Sequence, residues 1–167
     1  MAHEPQQKWE GKASAKLIGH PANQVWPLFE DFLTIHKWLP GVDTCNLVEG
    51  VPGQPGCIRY CSGTAVPSDG IDEAPISWVK ENLLSIDSIQ RCISYEVIEG
   101  NIGFENYIAT IKLVSVEDQD GQSGSEIEWS FVVDPIKGWR FEDLVSYVDS
   151  SVHAIAKRME EALEASK

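Results

Sequence analysis

From Gly138 to Lys167 the chain carries one uninterrupted amphipathic pattern, and that stretch constrains the fold more than any other. Phe141, Leu144, Val145, Val148, Val152, Ile155, Ala156, Met159 and Leu163 recur at three- and four-residue spacing, which gathers them on one stripe of an α-helix. Glu142, Asp149, Lys157, Arg158, Glu160 and Glu161 fall largely elsewhere. No Pro or Gly follows Trp139, and Asp143 suits the positive end of the helix dipole. Roughly 25 residues make a rod of about 37 Å. A rod with one apolar stripe needs a surface to lie against, so the upstream chain is read as that surface.

Lys8 to Ile18 alternates, with Trp9, Gly11, Ala13, Ala15 and Leu17 opposite Lys8, Glu10, Lys12, Ser14 and Lys16. This predicts a strand whose small inner residues let a helix approach closely. His20-Pro21 opens a helical region holding Val25, Trp26, Phe29, Phe32, Leu33 and Ile35. Pro27 inside it costs about 3 kcal/mol, which predicts a late start or a break, with two short helices ending near Trp38-Leu39-Pro40-Gly41. From Val42 onward strand-like segments follow: Thr44–Glu49, Gly56–Ser62, Ile76–Ile86, Cys92–Glu99, Glu105–Val116 and Ser125–Val133. Gly, Asn, Asp or Pro punctuates nearly every gap, and the short links predict antiparallel hairpins. The expected fold is α+β: a curved, seven-stranded antiparallel sheet wrapped around the long C-terminal helix, with two short helices plugging one end. Residues 1–167 are expected to form a single domain, with an ordered core over about 8–165.

The net charge of −13 disfavours nucleic-acid backbones and anionic membrane surfaces as partners. No apolar run approaches the roughly 18–20 residues of a membrane span, and the opening MAHEPQQKWEG has no signal-peptide pattern. A cytoplasmic or nuclear location is expected. Cys45, Cys57, Cys61 and Cys92 form no CxxC, and are expected to be reduced, small core residues; Cys57 and Cys61 share strand parity and so could be neighbours. His3, His20, His36 and His153 are mutually isolated, so neither a metal site nor a cofactor is expected.

Strand parity turns three polar residues inward. Arg59 shares a face with Cys57 and Cys61, Glu81 with Val79 and Leu83, and Tyr107 with Ala109, Ile111 and Leu113. Two readings are open. One is a buried ion pair and a satisfied hydroxyl without chemistry. The other is a cavity where the sheet and helix fail to meet, with these groups orienting a small, mostly hydrophobic guest. In that reading Val79, Leu83, Trp129, Phe131, Phe141, Val145 and Val148 form the apolar wall, and Ser146, Tyr147 and Ser150 lie close to it. The six Trp are weak as a stacking signal; Trp26, Trp38, Trp129 and Trp139 read as core or cavity wall. The loop SGTAVPSDG reads as a surface connection or as a gate over the mouth.

The order of these elements and the phrases KWEGKASAKL, VWPLFEDFLTIHKWLPGVDTCNLVEG, GCIRYCSG, WVKENLLSID, YEVIEG, GFENYIATIKLV and EIEWSF resemble plant helix-grip proteins. These belong to the START-like superfamily, also described as polyketide cyclase/dehydrase and lipid transport. Within it the chain is most similar to the lachrymatory factor synthases. The resemblance implies a helix-grip fold around a hydrophobic cavity, with the Arg, Glu and Tyr of the synthase motifs falling on Arg59, Glu81 and Tyr107. It also implies a cofactor-free isomerisation of a sulfenic acid, Glu81 shuttling the proton while Arg59 and Tyr107 hold the S–O oxygen, with an upstream lyase supplying the substrate. Abscisic-acid receptors share the fold, and a non-catalytic carrier or sensor of lipid, steroid or hormone type is the alternative. Their gate reads SGTAV here, the latch position reads NIGFENY without a His-Arg pair, and their ligand-holding Lys is replaced near Cys45.

Overall fold

The computed structural model describes residues 7–64, 76–117 and 119–166. Among these, seven strands pair antiparallel in a single sheet: β1 (Trp9–Leu17), β2 (Thr44–Glu49), β3 (Ile58–Thr64), β4 (Ile76–Asp87), β5 (Cys92–Gly100), β6 (Ile108–Glu117) and β7 (Ser123–Val133). Their spatial order is β1-β7-β6-β5-β4-β3-β2, so the crossover from β1 to β2 spans the whole sheet and every later strand is a hairpin neighbour of the last. Helix α1 (Ala22–Glu30), a 3-10 turn at Phe32–Thr34 and helix α2 (Ile35–Trp38) make that crossover, and α3 (Phe141–Ala165) closes the chain. This is the helix-grip architecture expected from the sequence.

Pro27 neither delays nor breaks α1. It sits exposed inside a continuous helix, and the break comes four residues later at Asp31. There the Asp31 carboxylate accepts from the Leu33 N–H at 3.1 Å, starting the 3-10 turn, while the Asp31 carbonyl accepts from the Thr34 hydroxyl. The lost Pro27 bond falls on the last turns of a short helix anchored by buried Val25, Trp26 and Phe29.

Helix α3 begins where the Asp143 carboxylate accepts from the Arg140 backbone N–H at 2.9 Å. That bond, aided by the Arg140 side chain, lowers the Asp143 pKa below the usual carboxylate value. The helix buries Leu144, Val148, Val152, Ile155, Ala156 and Met159 on the sheet. Small residues on β1 make this possible. A Cβ built on Gly11 would lie 2.5 Å from the Phe131 ring and 3.3 Å from Val145, so only glycine lets the ring and the helix come so close. Ala13, Ala15 and Leu17 continue that buried face.

Candidate functional site

The inner faces of β3 and β4 carry charge where the rest of the sheet is apolar. Arg59 and Glu81 are register partners, so sheet geometry alone points both side chains to the same side at close range. The Arg59 Nε donates to Glu81 Oε1 at 2.8 Å, and another guanidinium nitrogen donates to the Phe32 carbonyl at 2.6 Å. The guanidinium carbon also lies over the Phe32 ring, 3.8 Å from its centroid, and 5.0 Å from that of Tyr95. Arg59 is 4% and Glu81 9% exposed, so both charges are removed from bulk water together. Burial works most strongly against the Arg59 charge, but the Glu81 carboxylate together with Cys61, Tyr95 and Cys45 outweighs it, and its pKa ends above the ordinary value.

Tyr107 reaches the same space from the loop before β6, one residue outside the strand, with the face that parity assigned to it. Its ring stacks on Phe131 at 6.2 Å and on Phe104 at 5.2 Å. Burial pushes its hydroxyl above the ordinary tyrosine pKa, against hydrogen bonding from Trp129 Nε1 at 3.3 Å. The oxygen accepts from Trp129, and Tyr95 is a second hydrogen-bonding neighbour of the same hydroxyl. Tyr95 is raised as well, first by burial and then by Tyr107 and Glu81.

These groups border a cavity of about 120 Å³. Its wall combines Arg59, Cys61 and Gly63 of β3, Val79 and Glu81 of β4, Tyr95 of β5, Trp129 of β7 and Tyr147 of α3. Ile35, Leu39, Gly41 and Val42 close it on the crossover side, and Ile102, Phe104 and Tyr107 on the other.

The structure thus brings Arg59, Glu81, Tyr107, Val79 and Trp129 together around one cavity. Leu83, Phe131, Phe141, Val145 and Val148, expected in the same wall, lie off it. Leu83 is fully buried at the closed end, where its backbone pairs with Gly56 and Cys57. The Phe131 ring fills the space over Gly11, and Val148 is packed into the core. Phe141 packs edge-on against Trp9 and, with Val145 and Ser146, borders a separate open groove beside Lys12 and Ala13. For Phe131 and Val145 the reason is the close approach of α3 and the sheet at Gly11. Of the helix residues named as neighbours of a guest, Tyr147 reaches the cavity, whereas Ser146 and Ser150 do not border it. The gate residues Ala65–Pro75 lie outside the described residues, as does most of SGTAVPSDG.

Sequence periodicity does not mark several of the wall residues. Tyr95 shared the legible phase of Ile93 and Val97 and was available to parity. Ile102, Phe104, Leu39 and Val42 lie in loops, where no period marks the inward side. Cys61 faces Cys45 across the β2–β3 ladder, whereas Cys57 lies just before β3, on the face that parity assigns to both, and the contact of Cys61 is with Cys45. Cys45 and Cys92 are half-buried and not core residues.

The family model for polyketide cyclase/dehydrase and lipid transport proteins matches residues 13–164, and the chain belongs to that family. Abscisic acid receptor PYL7 of Arabidopsis thaliana is 29% identical over 144 residues, which cover 86% of this chain and 64% of the receptor. Abscisic acid receptor PYL2 of the same plant is 29% identical over 136 residues, or 81% of this chain and 67% of that one. The chain therefore spans about two thirds of the length of these curated relatives. Among solved structures, XoxI from Bacillus cereus superposes with a TM-score of 0.68 at 22% identity, covering 92% of this chain and 94% of that one. Ginseng major latex-like protein 151 from Panax ginseng gives 0.66 at 19% identity, over 92% and 97%. Both likenesses are of fold. Among the described residues no helix is long and apolar enough to cross a membrane.

Proposed function

We propose that this chain takes a small, mostly hydrophobic molecule into its internal cavity and acts on it as a cofactor-free isomerase, moving a proton on a sulfenic acid or a similar small substrate. The observation that carries this reading is the Arg59–Glu81 pair, bonded at 2.8 Å and bordering a cavity of about 120 Å³ together with Tyr107. Pockets for drug-sized ligands run to roughly 300–1,000 Å³, so this space suits a guest of a few heavy atoms and not a steroid or an acyl chain. Such a guest, with one polar oxygen, meets Arg59 donors not used on Glu81 and Phe32, and the Tyr107 hydroxyl, which stays neutral because its pKa is raised. Glu81 then stands beside the held atoms as the group that takes a proton from one site and returns it to another. Arg59 and Tyr107 supply orientation and stabilise charge on the oxygen. The resemblance to lachrymatory factor synthases gives the same three roles, and the reactive substrate then requires a lyase upstream that makes the sulfenic acid.

The second reading is a non-catalytic carrier or sensor, favoured by the abscisic acid receptors among the relatives. The two are separated by supplying the pure chain with a sulfenic acid generated in situ by a lyase and following thial S-oxide formation. Turnover dependent on the chain supports the isomerase. Absence of turnover, with a hormone-sized molecule retained in native mass spectra, supports the sensor.

A further inference from the structure

Independently of that reading, two thiols at the cavity wall form a site of their own. Cys45 on β2 and Cys61 on β3 are register partners in an antiparallel pair. Their Sγ atoms are 3.7 Å apart, the Cys61 thiol donating to the Cys45 sulfur. Facing residues in such a pair have Cα atoms about 4.5–5.5 Å apart, within the 4.4–6.8 Å range that a disulfide accepts. Closing the sulfur gap therefore needs side-chain rotation and little backbone movement.

The two thiols are unequal in the way a reacting pair requires. Cys45 is half-buried on the edge strand, open to a small reagent, whereas Cys61 is 4% exposed and lines the cavity two residues from Arg59. The hydrogen bond from Cys61, together with the nearby Arg59 charge, lowers the Cys45 pKa against the effect of burial. The same bond, reinforced by burial, raises that of Cys61. Cys45 is thus the thiolate former and Cys61 the thiol held against it. The remaining cysteines lack this arrangement. Cys57 is fully buried, and Cys92 faces Asp87 and Lys112 across its ladders.

We propose that Cys45 and Cys61 are a dithiol site oxidised by hydroperoxides, with Cys45 attacking and Cys61 resolving. The Cys45 thiolate attacks one peroxide oxygen, the O–O bond breaks, and Cys45 becomes a sulfenic acid while the second oxygen leaves as water after protonation. Cys61 then gives up its proton and attacks the Cys45 sulfur, forming the S–S bond and expelling the other oxygen as water. Two thiols lose two protons and two electrons, and with these hydrogen peroxide becomes two waters. Oxidation also removes the thiol hydrogen of Cys61, whose Sγ lies 4.0 Å from Glu81 Oε1, so the state of the pair reaches the cavity wall.

The test is a titration of the intact chain with hydrogen peroxide, followed by alkylation in denaturant, intact mass and peptide mapping. The expected product is a monomer that is lighter by about 2 Da before labelling and takes two alkyl groups, on Cys57 and Cys92, instead of four, with a peptide containing Cys45 linked to one containing Cys61. Cys61→Ser should stop at a Cys45 sulfenic acid that dimedone captures. Cys45→Ser should form no linked pair, and Cys92→Ser should form it at the wild-type rate. Prior loss of label at Cys57 or Cys92, an intermolecular bridge, or no linked pair at peroxide levels that sulfenylate Cys45 in the Cys61→Ser chain would each overturn the proposal.

Discussion

Along β1 and β7 the terminal helix lies directly on the sheet, whereas along β3 and β4 the inner face carries a charged pair and borders empty space. Both regions belong to one sheet, face the same way and share one alternation. They differ in what the alternation places inward. On β1 it places Gly11, Ala13 and Ala15, and α3 sinks until Leu144, Val148 and Ile155 are fully enclosed. On β3 and β4 it places Arg59, Cys61 and Glu81, whose polar heads must be satisfied locally and leave room above them. Close packing thus gathers at one end of the sheet and the buried polar pair with its cavity at the other. A buried pair such as Arg59–Glu81 contributes little net stability, because desolvation offsets its attraction. Its retention at the hollow end fits a role toward a guest.

Removing one charge from the hollow end should have the largest effect. Glu81→Ala leaves Arg59 buried without its partner, and a loss of about 3–5 kcal/mol is expected in urea unfolding. Arg59→Met/Glu81→Leu, which removes both, should recover most of that loss while abolishing any reaction at the site. At the filled end Ile155→Ala should cost about 2–5 kcal/mol by leaving a cavity, with ligand uptake unchanged because Ile155 does not border the pocket.

Tyr95 and Tyr107 sharpen the contrast through pH. Each has its pKa raised from 10.0 by burial, so the folded chain holds a proton that the unfolded chain releases above that pH. Their contribution is fully present below pH 10 and is lost as pH rises towards the folded values. The slope approaches about 1.4 kcal/mol per pH unit for each tyrosine, and alkaline denaturation followed by phenolate absorbance measures it. Gly11→Ala should cost about 1–3 kcal/mol, since the added methyl meets the Phe131 ring. The smallest effect on stability, under about 1.5 kcal/mol, is expected for Val79→Leu, which fills part of the cavity and should weaken uptake of a guest more than it alters Tm.

The fold was largely legible because its two periods are strong. The 3.6-residue stripe marked α3, and the two-residue alternation marked each strand together with the inward side of Arg59, Glu81 and Tyr107. What periodicity does not encode is depth. The stripe showed that Phe141, Val145 and Val148 face inward, but only the contact of Gly11 with Phe131 and Val145 shows that the helix seats too closely there to leave a cavity. Loop residues such as Phe104 and Leu39 were hidden for a different reason, since their direction follows from where the loop is anchored. Cys45 and Cys61 needed strand register, which is set by the whole hairpin.

The central claim, that the hollow end holds a proton-transfer site, is tested most directly by comparing initial rates of wild type and Glu81→Gln with lyase-generated sulfenic acid, circular dichroism verifying that both are folded. A loss of about 100-fold or more in kcat for Glu81→Gln is the expected result, the range for removing a general acid–base. Equal rates for the two folded proteins would contradict it.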